Sequence, residues 1–346
     1  MKKSVVIFLS IVLCLCLWVI AFAEPTAEDK QIVVGLIQQN LTHPFHLGEV
    51  EGAKVAAEKY GFKLLVGSGD DNVAHQVEVF EQFLDECDII SINTLDVTAF
   101  ANAFQKAKDK GVKVVVQHSW SEPGMSEGTI GFDEWAMSKE VGEYSIELLK
   151  KQGGNLAEKN VVMLTGNLGQ GLNEGRTGGF AEVMKKNGVN ILAQEATDWD
   201  GTKAVTIMEN YLTTYGDKIN LLYGLSDGVT YPAAQVIIND GRADQILVAS
   251  IDGSADAIQA IIDGDMDCTY MLASQYTGYY KVLIPFEVMT GKYDFAKQGD
   301  YILPGIIVTK DNAKAMLQMA NDMANDIGNF PFDKSLPDII KSYLAK

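Results

Sequence analysis

Three of the chain's four histidines, His43, His46 and His118, stand in two short polar stretches, Gln39-Asn40-Leu41-Thr42-His43-Pro44-Phe45-His46 and Gln117-His118-Ser119-Trp120. Amides, carboxylates, hydroxyls and aromatic rings recur at Asn93, in the glycine-rich 166–176 with Glu174, and at Asp198-Trp199-Asp200, Ser226-Asp227 and Asp252-Gly253. Such a set suits recognition of a hydroxyl-rich molecule. A sugar or polyol has apolar C–H faces and a polar rim, so flat rings fit its faces and fixed amides and carboxylates its edge. Other chemistries are poorly served. The run 166–179 has neither the Gly-Lys-Ser/Thr ending of a phosphate loop nor the spacing of a dinucleotide fingerprint. His43 and His46 are spaced to chelate, but Pro44 and Phe45 intervene and no His-Glu-x-x-His run is present, so neither a metal nor a cofactor is expected. Imidazoles that hydrogen-bond hydroxyls would instead make affinity sensitive to pH near about 6 to 7.

The elements that must position these residues are short. Residues 32–37, 62–66, 88–92 and 112–116 are β-branched runs that read as strands, while 47–60, 73–86 and 97–110 carry apolar residues at helical spacing. Gly61 and Gly111 mark helix ends, where a left-handed cap costs little. A second series follows, with strands at 161–165, 190–196, 219–223 and 246–251 and helices near 174–187, 201–215, 227–240 and 254–262. The tail from Thr269 adds a strand, a helix near 276–290, a strand at 301–308 and a helix from about 311 to 325. Repeated βα units make parallel sheets covered by helices, so the fold class is α/β with two Rossmann-like lobes joined by a hinge. The amphipathic helix at 134–151 opens the second half, which places a crossover near 131–133; the length of the tail suits one βα unit returned to the first half and a final piece in the second, with crossovers near 272–275 and 303–305. The N-terminal lobe is then 31–132 plus 274–303, and the C-terminal lobe 133–273 plus 304–346. Ligands of open parallel sheets sit beyond the carboxyl ends of the strands, and every polar stretch named above follows a strand.

The start of the chain bounds its location. Lys2 and Lys3, an uncharged run over 5–22 and the exit Ala21-Phe22-Ala23 have the order of a cleaved secretory signal over 1–23, with Ala23/Glu24 as the cleavage site; an uncleaved anchor is the competing reading. Cys14 and Cys16 lie within that segment and do not follow a small residue as a lipid-modified cysteine should. Removing two of the 28 basic residues leaves 26 against 46 acidic ones, a formal charge of −20. Such a surface repels nucleic acid and anionic lipid. Cys87 and Cys268 each flank an apolar run and read as small buried hydrophobes, with a disulfide as the alternative that export permits.

On these residues the sequence resembles the type I periplasmic sugar-binding proteins of the ribose- and galactose-binding kind. The resemblance spans nearly the whole mature chain. It rests on Asn40-Leu41-Thr42-His43-Pro44-Phe45, Ile92-Asn93-Thr94, Asp133, Asp198-Trp199-Asp200 with Thr202-Lys203, Ser226-Asp227 and Ile251-Asp252-Gly253. It implies that Phe45 and Trp199 sandwich a sugar while Asn93 and Asp252 bind its hydroxyls; Gln39, His43, His46, His118, Glu174, Ser226 and Gln275 complete the expected site. Each has a plainer use as well: Phe45 in a helix-start core, Trp199 on the surface, Asn93 in a turn, and Asp252 or Asp227 as a helix cap. Departures are equally informative. An Asp-Arg pair of the ribose binders is replaced by His118-Ser119, a sugar-binding arginine by Glu174, and a glutamine by Leu272, with Gln275 as a substitute; Arg176 remains and reads as structural. Arginine forks are lost and imidazoles gained, which argues against ribose itself. The resemblance implies a non-enzymatic, monomeric periplasmic receptor that closes about a sugar or polyol and delivers it to an ABC transporter permease. The alternative is a ligand-presenting sensor component, docking a chemoreceptor or sensor kinase or binding an autoinducer-2-type furanosyl signal.

Overall fold

The structure, a computed structural model, describes residues 31–118, 121, 123–167 and 171–345. The expected signal over 1–23, with Cys14 and Cys16, and the pair Ser119 and Trp120 lie outside the described residues. The β-branched runs become strands β1 (Val33–Gln38), β2 (Lys63–Ser68), β3 (Ile89–Ile92), β4 (Lys113–Gln117), β5 (Gly128–Gly131) and β6 (Asn160–Thr165). They continue as β7 (Asn190–Ala196), β8 (Leu221–Gly224), β9 (Leu247–Asp252), β10 (Cys268–Met271), β11 (Tyr301–Ile302) and β12 (Ile306–Thr309). Central strands are apolar on both faces because helices cover both: every residue of β1, β3 and β8 is buried. Edge strands β2 and β7 are correspondingly wetter.

Two six-stranded sheets result, ordered β11-β5-β4-β3-β1-β2 and β12-β10-β9-β8-β6-β7. Strand pairing is parallel throughout except between β10 and β12. The helix Glu134–Lys151 packs on the second sheet's side and Ser274–Met289 on the first, against Pro44–Tyr60. The chain therefore passes between the sheets three times: after β5, after β10 and after β11.

Helix starts follow from residue chemistry. The His43 imidazole accepts from Phe45 N–H at 3.3 Å with Pro44 in the first turn, and Asp133, Asp200, Ser226 and Ser254 cap the helices that follow them. Ser226, rather than Asp227, is thus the cap of Asp227–Asn239. One strand and two α-helices have no counterpart in the sequence reading: β5 and the helices Phe295–Gln298 and Leu336–Leu344. The single strand expected over 301–308 is broken. Leu303 N–H donates to Gly131 carbonyl at 2.7 Å, continuing the first sheet, whereas residues after Gly305 pair antiparallel with β10. Cys87 and Cys268 are buried free thiols, so the disulfide alternative is not realised, and burial pushes the Cys87 thiol up to about 12.

Candidate functional site

In both sheets the strand order reverses, between β1 and β3 in one and between β6 and β8 in the other, which leaves a crevice at the carboxyl ends of those strands. The candidate residues stand at those two points. Gln39 follows β1 and Asn93 follows β3; Gln39 Nε2 donates to Asn93 Oδ1 at 3.2 Å and to the Thr94 carbonyl at 3.1 Å. In the second sheet Gly166 follows β6, Ser226 comes after β8 and Asp252 ends β9. Ser226 Oγ donates to Asp252 Oδ2 at 2.6 Å.

One cavity of about 510 Å³ gathers residues from both sheets. Nine expected site residues line it: Gln39, His43, Phe45, His46, Asn93, His118, Trp199, Ser226 and Asp252. Gln275 lines an adjoining cavity instead, and Glu174 lines neither. Asp71, Leu172 and Arg176 also face this space. The cavity combines two rings, Phe45 and Trp199, with amides, a hydroxyl and a carboxylate, which is the complement of a small polyol. Trp199 is seated by a neighbour without a side chain: a Cβ on Gly166 would fall 1.9 Å from its Cζ2. Local strain concentrates here too. Of the seven non-glycine residues described with positive φ, five, namely Asp71, His118, Asp198, Trp199 and Asp252, line this cavity, with Asp252 at φ 121°. Such conformations cost about 1–3 kcal/mol each and persist where the surroundings enforce them, commonly at binding sites.

Beneath the cleft runs a buried chain of charges that crosses from one sheet's helices to the other's. His46 Nδ1 meets Glu49 Oε2 at 3.0 Å, and Glu49 is paired in turn with the Lys281 ammonium. Lys281 Nζ donates to His118 Nε2 at 2.8 Å, while His118 Nδ1–H donates to Glu134 Oε1 at 3.1 Å. That assignment fixes the neutral Nδ1–H tautomer, since Lys281 can only donate and Glu134 only accept. Glu134 Oε2 accepts from Arg176 Nε at 2.8 Å, and Arg176 Nη1 reaches the Leu225 carbonyl at 2.7 Å and Asp252 Oδ1 at 3.5 Å. Both His118 nitrogens are therefore committed to protein groups. Burial pushes the Glu49 carboxyl up, but Lys281, with His46 behind it, overrides this and holds it at about 2. Burial and then the neighbouring Lys281 charge push His118 below its ordinary value against the pull of Glu134.

His43 lies at the contact between lobes. A Cβ on Gly228 would come within 3.1 Å of its Nε2, so the first lobe's helix start meets the second lobe's directly. Burial lowers the His43 pKa, opposed mainly by Asp252. Burial, together with the Asp252 charge, raises Asp227 to about 7, although its carboxylate accepts from Ser254 N–H at 2.7 Å and Thr269 Oγ1–H at 2.8 Å. Among the described residues, no group of three or more His, Cys, Asp or Glu is arranged to hold a metal ion.

Residues 34–292 match the family model described as periplasmic binding protein domain. The chain belongs to that family. Among curated relatives, it is 26% identical to the ribose import binding protein RbsB of Salmonella typhimurium over 276 residues, 80% of this chain and 90% of that protein. It is 26% identical to the galactofuranose-binding protein YtfQ of Escherichia coli over 256 residues, 71% of this chain and 79% of that one. A solved ABC transporter solute-binding protein from Bacillus halodurans, with bound myo-inositol, superposes with a TM-score of 0.76 at 22% identity, covering 85% of this chain and 99% of that one. The last likeness shows the periplasmic binding protein fold.

Sequence reasoning missed the charge chain. Glu49 sits inside a helix of small buried residues, and its partner is 232 residues away. A signal existed at Lys281, which stands between Tyr279-Tyr280 and Val282-Leu283-Ile284 with no other charge in residues 274–286. A lone lysine there has to find an acid or unfold the segment.

Proposed function

We propose that this protein is a periplasmic, non-enzymatic solute receptor that binds a sugar or sugar-like polyol between its lobes and delivers it, on hinge closure, to the permease of an ABC importer. The observation that carries the reading is the cavity at the two strand-order reversals, with Phe45 and Trp199 beside Gln39, Asn93, Ser226 and Asp252. Rings cover C–H faces, and the amides and carboxylate bond hydroxyls. Ligand that bonds both lobes only when they meet stabilises the closed form, which is what a permease reads. Relatives named for ribose import and for galactofuranose binding support a sugar, and a fold neighbour with bound myo-inositol supports a polyol. Because Arg176 is committed to Glu134 and Asp252, no uncommitted guanidinium faces the cleft among the described residues, and an uncharged ligand is favoured. The receptor acts as a monomer. Calorimetric titration against pentoses, hexoses, furanose-forming sugars and inositols tests this; absence of binding across the panel would refute it.

A further inference from the structure

A second cavity, of about 340 Å³, adjoins the first and shares His43, Pro44, Phe45 and Asp252 with it. Those four residues form a waist between two chambers. We propose that the second chamber is a subsite for a ring-sized, uncharged substituent, so that the full ligand is a glycoside or disaccharide rather than a free monosaccharide; this rests on the sugar-receptor reading above. A ring lying on Phe45 with a hydroxyl at Asp252 is already at the waist, and a group attached to it on that side enters the chamber. The volume is near the lower end of ligand pockets, about 300 Å³, and is that of a compartment rather than a packing defect.

The lining supports a ring. The lining is apolar at Pro44, Tyr231, Pro232, Met271 and Met323 and polar at Ser274, Gln275 and Asn321. An aromatic ring beside a few hydrogen-bonding side chains is again the complement of a sugar or aryl group. Charge narrows the class. Asp227, Asp252 and Asp256 line the chamber and no lysine or arginine does, so a carboxylate or phosphate substituent is disfavoured. The wall is also held in place, because Asp227 bonds Ser254 N–H and Thr269 and thereby ties the Asp227–Asn239 helix to the next helix start and to β10. Gln275 gains a use here, in the chamber rather than in the cleft.

The test is calorimetry on the secreted full-length protein with D-ribose, D-galactose and D-allose, each beside its methyl and phenyl glycoside. Phenyl glycosides should bind more tightly than the parent sugar. Ala324→Trp fills the chamber from the exposed end of the Ala313–Asn325 helix without touching the first cavity. It should weaken the phenyl glycoside about tenfold or more while changing the free sugar less than about twofold. Ala320→Phe is the second filling variant, should Ala324→Trp lose its native circular dichroism. A free sugar that binds while every glycoside is excluded from the unsubstituted protein overturns the subsite and leaves the receptor reading standing. Equal weakening of sugar and glycoside by the filling variants, or no weakening of either, overturns it too. No binding by any sugar or glycoside removes both.

Discussion

Replacing Lys281 by methionine keeps the length of the side chain and removes its charge, and the buried charge chain predicts a large loss of stability. Both side chains of the Lys281–Glu49 pair are 0% exposed, so the carboxylate left behind has no water to turn to. Opposite charges at contact attract by about 4 kcal/mol at an effective dielectric near 20, and several kcal/mol of desolvation per ion oppose this. Removing one partner forfeits the attraction and keeps the desolvation, which costs about 3–5 kcal/mol. Glu49 would be left with His46, and His118 Nε2 would lose its donor. Urea denaturation followed by circular dichroism should therefore give a midpoint well below that of the unsubstituted protein with an unchanged slope. The double variant Glu49→Gln/Lys281→Met removes both charges and should recover most of the loss, because a buried ion pair replaced as a unit is often neutral. A single Lys281→Met change costing under about 1 kcal/mol, or a double variant as unstable as the sum of its parts, would refute this account of the pair.

Further perturbations address the cleft and the acids around it. Trp199→Ala and Asp252→Asn should each weaken sugar binding about tenfold to a hundredfold by calorimetry, with the denaturation midpoint little changed. Gly166→Ala should reproduce the Trp199→Ala loss, since the added Cβ occupies the ring's place; unchanged tryptophan fluorescence with intact binding would contradict that seating. Two pH windows should appear in stability. Glu49, held at about 2, contributes stability that is complete above its unfolded value near 4.5 and lost as pH falls toward 2, and Glu49→Gln should abolish that component. Asp227, raised to about 7 beside Asp252, works in the opposite sense: its contribution is complete below its unfolded value near 3.8 and lost as pH rises through 7. Asp227→Asn should flatten the fall in stability between those pH values, measured by urea midpoints across the range.

What could be read from the sequence was what is local. Strands β7 and the helices Glu134–Lys151 and Gly201–Tyr215 are visible as runs of the right period bounded by Asn, Asp or Gly, and the rule that ligands sit beyond strand ends named the stretches around the cavity. Residues 301–308 show the limit. Their pattern reads as one strand although Pro304-Gly305 and the crossover expected at 303–305 interrupt it, and the pairing partners, β5 for one end and β10 for the other, divide it. Strand β5, Gly-Thr-Ile-Gly, has too little apolar pattern to announce itself and forms because β4 and β11 lie on either side. Among site residues, the histidines were legible as polar groups after strands but their partners were not. His118 falls at a strand exit, yet its two ring nitrogens are held by Lys281 and Glu134, which lie 163 and 16 residues away.

The three passages of the chain between its sheets carry a consequence for how the molecule is made. The first sheet is completed by β11, and the helix Ser274–Met289 that covers it also brings Lys281 to Glu49. Until residue 281 arrives, the Glu49 carboxylate has no ammonium to neutralise it and resists burial, so the early helix Pro44–Tyr60 cannot settle. A contact spanning 232 positions is non-local, and closing so long a loop before the contact can form slows the pairing of the two helices.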